Sequence, residues 1–149
     1  MAIEIDQSGK LEQLDTDTVL ACANDTSRVV YIKAGTKRKI VTYLRKSLIP
    51  RKDLYPIVFA LAVFILIQPV KQTMTLKIDE EYTGKEEIIK ETLEKLIKRH
   101  MERKGQGMIT FGRIGKHASA HQLAWRVHRT KQRSEVKRIT EDQLLKLLF

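Results

Sequence analysis

The alternation of apolar and polar residues predicts a strand in each of two segments that end in acids, Ala2–Asp6 and Thr73–Asp79. In the first segment, Ile3 and Ile5 point to one face of a strand and the intervening carboxylates point to the other. The second segment runs directly into further acids, in the sequence DEEY. Two strands that each end in an acid, in a chain with a net charge of +10, indicate a divalent-metal site that faces a polyanion.

The pattern between these two segments predicts two more strands and two helices. Thr18–Ala23 and Arg28–Lys33 are bounded by turn residues, so they form an antiparallel meander with the first strand. Apolar residues at helical spacing predict a helix over about Thr36–Leu48. The nearly all-apolar run Leu54–Ile67 is too short to span a membrane, which takes roughly 20 residues. We expect it to be a buried helix that crosses the centre of the domain.

The C-terminal half continues with alternating helices and strands. The pattern predicts a long amphipathic helix capped by Thr83, a strand over Met108–Phe111 and a helix over Ala118–Arg129. A short strand over Val136–Ile139 and a terminal helix capped by Thr140 complete the chain.

The resulting order is β-β-β-α-α-β-α-β-α with a C-terminal addition. It predicts an α/β fold with a mixed five-stranded sheet, in which a β-meander precedes alternating helices and strands, and the helices flank the sheet. Residues 1–149 form one domain, on which residues 131–149 pack as an extension. Because crossover connections are right-handed, the fourth strand can lie parallel to the first. Asp6 and Asp79 would then emerge at the same carboxyl edge, where open sheets bind ligands.

Charge and cysteine content narrow the choice of partners. A domain this basic usually meets nucleic acid, an anionic membrane surface or an acidic assembly, and we expect nucleic acid. The single cysteine, Cys22, allows no intrachain disulfide, and no signal peptide is recognisable, which fits a cytoplasmic protein without a membrane contact. A homodimer is compatible with the sequence.

Basic residues are concentrated in two stretches that are almost free of acids, residues 33–52 and 103–138. They are expected to bind phosphates and release counterions. The candidate nucleic-acid-binding residues are Lys37, Arg38, Lys39, Arg45, Lys46, Arg113, Lys116, His117, Arg126, Arg129, Lys131 and Arg133. Trp125 and Tyr43 could stack on bases, although we expect Trp125 to pack in the core.

Three motifs resemble the ribonuclease H-like nuclease superfamily over roughly residues 2–130. They are IDQSG at the end of the first strand, LKIDEEY at the end of the fourth and IGKHASAHQLAW before and within the late helix. The resemblance implies a ribonuclease H-like fold and an Mg²⁺- or Mn²⁺-dependent nuclease, a hydrolase that cleaves phosphodiester bonds in DNA or RNA. It implies catalytic roles for Asp6, Asp79, Lys116 and His121, and metal ligation by Asp6, Asp79, Glu80 and Glu81.

The third metal ligand departs from the family pattern, which takes an acid from the first helix, because Thr36–Leu48 contains none. The acids that could replace it are Asp15, Asp17, Asp53 and Glu81. His117 and His121 have the i, i+4 spacing of some zinc ligands, but no cysteine or nearby acid in the sequence completes such a site. His121 could instead act as a general acid–base.

Other interpretations remain open at the level of sequence. Asp79 and its acidic neighbours could simply begin a helix, Asp6 could be a turn former, and His121 could be an interior histidine. The protein could be a non-catalytic nucleic-acid-binding protein on the same scaffold. It could also be an assembly or interaction protein that uses its apolar helix and the terminal LLKLLF sequence as an interface.

Overall fold

A mixed sheet forms the centre of the computed structural model, which describes residues 2–23, 27–70, 75–101, 108–130 and 136–148. Within these ranges the sheet has six strands: β1 (Ala2–Ser8), β2 (Thr18–Ala23), β3 (Arg28–Ile32), β4 (Thr75–Asp79), β5 (Ile109–Gly112) and β6 (Lys137–Arg138). Their spatial order is β5-β4-β1-β2-β3-β6. The α/β class is confirmed, but six strands stand where the pattern predicts five, because β6 in the C-terminal extension pairs with β3.

Strand pairing follows the predicted meander and crossover. β1 pairs with β2, and β2 with β3, in antiparallel ladders. β4 lies parallel to β1, with Ile5 opposite Ile78, and β5 lies parallel to β4, with Asp79 opposite Gly112. The expectation that the first and fourth strands are parallel neighbours is therefore confirmed.

The described helices are α1 (Ala34–Arg45), α2 (Leu54–Ile67), α3 (Glu86–His100), α4 (Ser119–Thr130) and α5 (Glu141–Leu148). A single 3₁₀ turn, Arg51–Asp53, leads into α2. α1 begins before the predicted cap Thr36, and the carboxylate of Asp17 accepts the N–H of Ala34 at 3.0 Å. It ends at Arg45, so Leu48, predicted to lie on its apolar side, is fully exposed.

Helix α2 is buried, as its apolar composition predicts. Twelve of its residues are buried, including Phe59, Leu61 and Phe64. Its 14 residues span only about 21 Å at 1.5 Å per residue. In the part of the chain that the structure describes, no helix is long and apolar enough to cross a membrane.

The two faces of the sheet are covered unequally. Apolar side chains of α1, α2, α3 and α5 share one core cluster with Ile3, Ile5 and Ile78. α4 packs on the opposite face, where Ala124 contacts a small cluster around Val19. Because strand residues alternate between faces, the acids of β1 lie on the α4 side.

The C-terminal extension contributes to the larger core. Ile139 and Leu144 are buried in it. The hydroxyl of Thr140 accepts the N–H of Gln143 at 3.2 Å, and the side-chain oxygen of Gln143 accepts the N–H of Thr140 at 2.9 Å. This reciprocal capping box fixes the start of α5, as the sequence predicts.

Candidate active site at the carboxyl edge of the sheet

Asp6 and Asp79 lie side by side on the face of the sheet that α4 covers. Continuing the parallel register beyond the Ile5–Ile78 pair places Asp6 of β1 opposite Asp79 of β4. The charge of Asp79 contributes to the raised pKa of Asp6, which agrees with their proximity. The interpretations of Asp6 as a turn former and of Asp79 as a helix start are wrong, because Asp6 lies within β1 and α3 begins only at Glu86.

His121 of α4 makes a direct contact with Asp6. Its Nδ1 lies 2.8 Å from Oδ2 of Asp6, whose other carboxylate oxygen accepts the N–H of Gln7 at 2.8 Å. Asp6 is 4% exposed. Burial raises the pKa of its carboxyl above the ordinary range, the hydrogen bond from His121 opposes that rise, and the charge of Asp79 adds to it.

Asp79 and Glu81 extend the acidic cluster. Oδ1 of Asp79 accepts the N–H of Ile114 at 2.9 Å, which ties the end of β4 to the loop after β5. The N–H of Glu81 donates to the carbonyl of Asp79 at 2.8 Å. Burial, and then the charge of Asp79, raise the pKa of the Glu81 carboxyl, with a smaller contribution from Asp6. Glu81 therefore belongs to the same electrostatic cluster, whereas Glu80 is exposed.

The other acids considered as a third ligand either have partners elsewhere or are exposed. Asp53 is buried and pairs with Lys85 at 3.1 Å. Asp17 accepts the N–H that begins α1, and Asp15 is exposed. Glu81 is the one of the four that shares the environment of Asp6 and Asp79.

The residue pair next to Asp6 and Asp79 on the same two strands is oppositely charged, unlike the pair of acids in the site. Glu4 of β1 lies opposite Lys77 of β4, and their charged groups are 4.0 Å apart. Two residues further along, an acid faces an acid. Among the described residues, His121 is the one basic side chain paired with Asp6. The site therefore carries excess negative charge, which a proton or a cation would relieve.

The donor chemistry of the acids fits Mg²⁺ or Mn²⁺, since both prefer carboxylate oxygens. In the described residues, no three His, Cys, Asp or Glu side chains converge closely enough to form a metal cluster. Mg²⁺ is commonly held by one or two carboxylates while water and substrate phosphate fill its other positions. Asp6 and Asp79 match that requirement, and Glu81 is a third acid that interacts electrostatically with both.

An open cavity of about 420 Å³ adjoins the acidic cluster. Its lining consists of Lys116, His117, His121, Gln122, Trp125 and Arg126. His121 belongs both to this lining and to the contact with Asp6, so it connects the cavity to the acids. Lys116, the remaining predicted catalytic residue, also lines this cavity.

Lys37 was predicted to bind nucleic acid, and that prediction is wrong. It is 1% exposed, and its ammonium donates to the carbonyl of Gln13 at 2.6 Å and to the hydroxyl of Thr18 at 3.1 Å. Burial lowers the pKa of Lys37. Its role is to hold the segment between β1 and β2, because burying an ammonium requires such partners.

The other predicted phosphate-binding residues fall into two groups. Arg38, Lys39, Arg45 and Lys46 are exposed on α1, which packs in the core cluster of the opposite face. Arg113, Lys116, His117, Arg126 and Arg129 are exposed on or just before α4, close to the acids. Lys131 and Arg133 lie outside the described residues. Among the described residues, the basic side chains of α1 and those around α4 therefore lie on opposite faces of the sheet, and only the second group flanks the site.

A second histidine of α4 contacts β1 and was not anticipated from the sequence. Nδ1 of His128 lies 3.0 Å from the hydroxyl of Ser8. His121 and His128 are seven residues, or two turns, apart and therefore lie on one face of α4. Asp6 and Ser8 are two residues apart and therefore lie on one face of β1. Matching these two spacings in the sequence could have revealed that α4 lies along β1.

Buried polar side chains lie behind the acids, on the core side of β1. The amide of Gln7 is buried there, and its hydrogen bonding opposes the rise in the pKa of both Glu81 and Tyr82. Burial is the larger effect on both groups and raises the pKa of Tyr82 strongly. Gln7 therefore links the end of β1 to the segment that follows β4.

Comparisons with known protein families, with curated proteins and with solved structures gave no match to this chain.

Proposed function

We propose that the protein is a divalent-metal-dependent nuclease with a ribonuclease H-like fold. The observation that carries this proposal is the pair of acids, Asp6 and Asp79, on neighbouring parallel strands, with His121 hydrogen-bonded to the first. Phosphodiester hydrolysis requires charge neutralisation at the phosphate, activation of water and protonation of the leaving oxygen. The acids, His121 and Lys116 supply groups suited to each requirement.

Asp6 and Asp79 would hold the metal, with Glu81 as a third acid. When bound, Mg²⁺ or Mn²⁺ would neutralise charge on the scissile phosphate and lower the pKa of a bound water. Burial supports this role, because the ionised Asp6 beside Asp79 is electrostatically costly without a counterion. The hydrogen bond from Ile114 keeps the Asp79 carboxylate oriented at the edge.

His121 is suited to proton transfer. The ionised Asp6 accepts a hydrogen bond from Nδ1–H, which fixes the tautomer that leaves Nε2 able to take a proton. Because His121 also lines the cavity, Nε2 can take a proton from an attacking water or return one to the leaving oxygen. Lys116 lines the same cavity and would neutralise a phosphate there.

A nuclease assay with matched acidic variants tests this function. Single strands, duplexes, hybrids and branched DNA are incubated with Mg²⁺, with Mn²⁺ or with EDTA. Cutting should require metal and be lost in Asp6→Asn and in Asp79→Asn. Glu87→Gln is the control, because Glu87 is an exposed acid of α3 outside the proposed metal-ligating set and should retain activity. His121→Ala should lower the rate by about 10²- to 10⁴-fold, the usual contribution of a general acid–base.

The second candidate is a nucleic-acid-binding protein that does not cut. It is favoured by the cavity beside α4, whose exposed cations and Trp125 form a binding surface that does not depend on the acids. Binding of every nucleic acid without cutting under any metal condition would support this candidate over the nuclease. If no nucleic acid is retained at low salt, both candidates fail and the assembly role is left.

A further inference from the structure

Trp125 is exposed at a position where packing does not require a large aromatic residue. It is 49% exposed and is the single tryptophan of the chain. The contacts of α4 with the sheet are made by other side chains, among them Ala124, Leu123 and Val127. An exposed indole beside a concave surface is typical of a binding site rather than of a core.

The cavity beside Trp125 has the composition of an anion-binding and ring-binding site. Its volume of about 420 Å³ is within the usual range of ligand pockets. The lining side chains include two cations, Lys116 and Arg126, and no carboxylate. Neither cation forms an ion pair within the described residues. Both are therefore available to an anionic ligand, and phosphate is the anion that suits the proposed function.

Arg129 supports the indole from outside the cavity. Its guanidinium carbon lies 5.0 Å from the centroid of the Trp125 ring, a cation–π contact. Arg129 is not part of the cavity lining, whereas Trp125 is. The contact therefore restrains the indole without filling the cavity, in which the indole can stack on a planar group.

The position of His121 joins this cavity to the acids. His121 and Trp125 are four residues apart on α4, so they are neighbours on one ridge of the helix. A base stacked on Trp125 would place its own phosphate, or the next one, beside His121 and Asp6. In a paired duplex the bases are stacked on each other, so only a single-stranded or extruded base can reach an indole in this way.

We propose that the cavity between Lys116 and Trp125 is a base-stacking subsite, and that the protein prefers single-stranded or locally unpaired nucleic acid. This inference rests on the proposed function for its choice of ligand. It goes further in naming the substrate class and in assigning Trp125 to substrate positioning. The chemistry is common to DNA and RNA, because every base has a π-face.

Intrinsic fluorescence with selective excitation of tryptophan provides a direct test, because Trp125 is the single tryptophan of the chain. Wild-type protein in EDTA, where cutting is not expected, is titrated with a short DNA strand, an RNA strand of the same sequence, the corresponding duplex and a strand with abasic sites. The single strands should quench the emission saturably. The duplex and the abasic strand should quench it weakly, because neither offers an unpaired base.

Variants establish whether the ring itself binds. Affinity for a labelled single strand, measured by anisotropy, should fall by about 5- to 150-fold in Trp125→Leu, which corresponds to about 1–3 kcal/mol for one stacked base. Trp125→Phe should keep most of the affinity because it keeps a ring. Leu48→Ala truncates a fully exposed apolar side chain after α1, outside the cavity lining, and should bind as wild type does. Circular dichroism checks that each variant is folded.

The outcomes separate this inference from the nuclease proposal. Equal quenching by single strand and duplex, or an unchanged affinity in Trp125→Leu, would overturn the base-stacking subsite even if the protein cuts. Saturable quenching that persists in Asp6→Asn, in a protein that cuts nothing, would keep the subsite and reject the nuclease. No response to any nucleic acid, together with self-association that Trp125→Leu abolishes, would assign the surface to a second copy of the chain instead.

Discussion

The two faces of the sheet show how one set of strands can serve stability and chemistry separately. On one face, α1, α2, α3 and α5 enclose a large apolar cluster that includes Ile3 and Ile5 of β1. On the other face, the next residues of the same strand are Asp6 and Ser8, and they bind histidines of α4. A shift of β1 by one residue would exchange these two sets. The apolar face therefore determines where the acids stand.

The apolar face should dominate stability. Leu61→Ala in α2 should lower the free energy of unfolding by about 2–5 kcal/mol, because Leu61 is 1% exposed and truncation leaves a cavity. Leu48→Ala makes the same chemical change at a fully exposed site and should cost less than about 0.5 kcal/mol. Urea denaturation measures both. Similar losses in the two variants would contradict the burial assigned to α2.

The turn after β1 should be intolerant of a side chain, although it lies on the polar face. Gly9 has a φ of +81°, and an added Cβ would clash with the carbonyl oxygen of Asp17. Gly84 has a φ of +83° with open space around the position. Gly84→Ala should therefore cost about 1–2 kcal/mol for the left-handed conformation alone. Gly9→Ala should cost a further 1–3 kcal/mol, roughly, for overpacking.

Thermal or urea denaturation of the two glycine variants measures this difference. Equal costs would mean that the segment carrying Asp17 moves away freely, and that the end of β1 is less constrained than the structure indicates.

Acid titration should reveal the cost of ionising Asp6. Because burial raises its pKa in the folded protein above the ordinary value of 3.8, the ionised carboxyl destabilises the fold above that raised pKa. The cost disappears as the pH falls toward 3.8. Asp6→Asn removes the ionisation, so its stability relative to wild type should be greater at pH 7 than at pH 4.

The expected difference for Asp6→Asn is about 1.4 kcal/mol for each unit by which the folded pKa is raised. Denaturant unfolding in EDTA across this pH range measures it. A stability difference between Asp6→Asn and wild type that does not change between pH 4 and pH 7 would show that Asp6 is solvated.

The smallest effect is expected at the hydrogen bond between β1 and the C-terminal half of α4. Ser8→Ala removes one hydrogen-bond partner of His128 and should lower the free energy of unfolding by about 0.5–1.5 kcal/mol. Ser27→Ala changes an exposed serine just before β3 and should be nearly neutral. If the two variants match, α4 is held by its apolar contacts and not by this hydrogen bond.

Much of the site could be predicted because its strands carry strong local signals. The alternation of apolar and polar residues identifies β1 as a strand, and the long apolar run identifies α2 as a buried helix. The right-handed crossover then makes β1 and β4 parallel neighbours. Lys37 shows where the same reasoning is wrong. In the sequence it is one of several cations on α1. Only the packed structure shows that its ammonium is buried and donates hydrogen bonds to the carbonyl of Gln13 and the hydroxyl of Thr18 instead of to water.

Trp125 is the opposite case. A large aromatic residue is expected in the core, yet Ala124 occupies the buried position of α4 and Trp125 lies beside the cavity. The helical period could place Trp125 next to His121. It could not decide which side of α4 meets the sheet, because small and large residues lie on both sides.

The sequence by itself determined the element order, the buried α2 and the presence of an acid near the end of both β1 and β4, because periodicity and chain connectivity are local properties. Tertiary structure decided which charges meet. His121 reaches Asp6 across 115 residues, Glu81 joins the acids while Asp53 pairs with Lys85, and α1 carries its cations on the other side of the sheet. Such long-range contacts depend on which helix covers which face, and that is settled by the packing of the whole core.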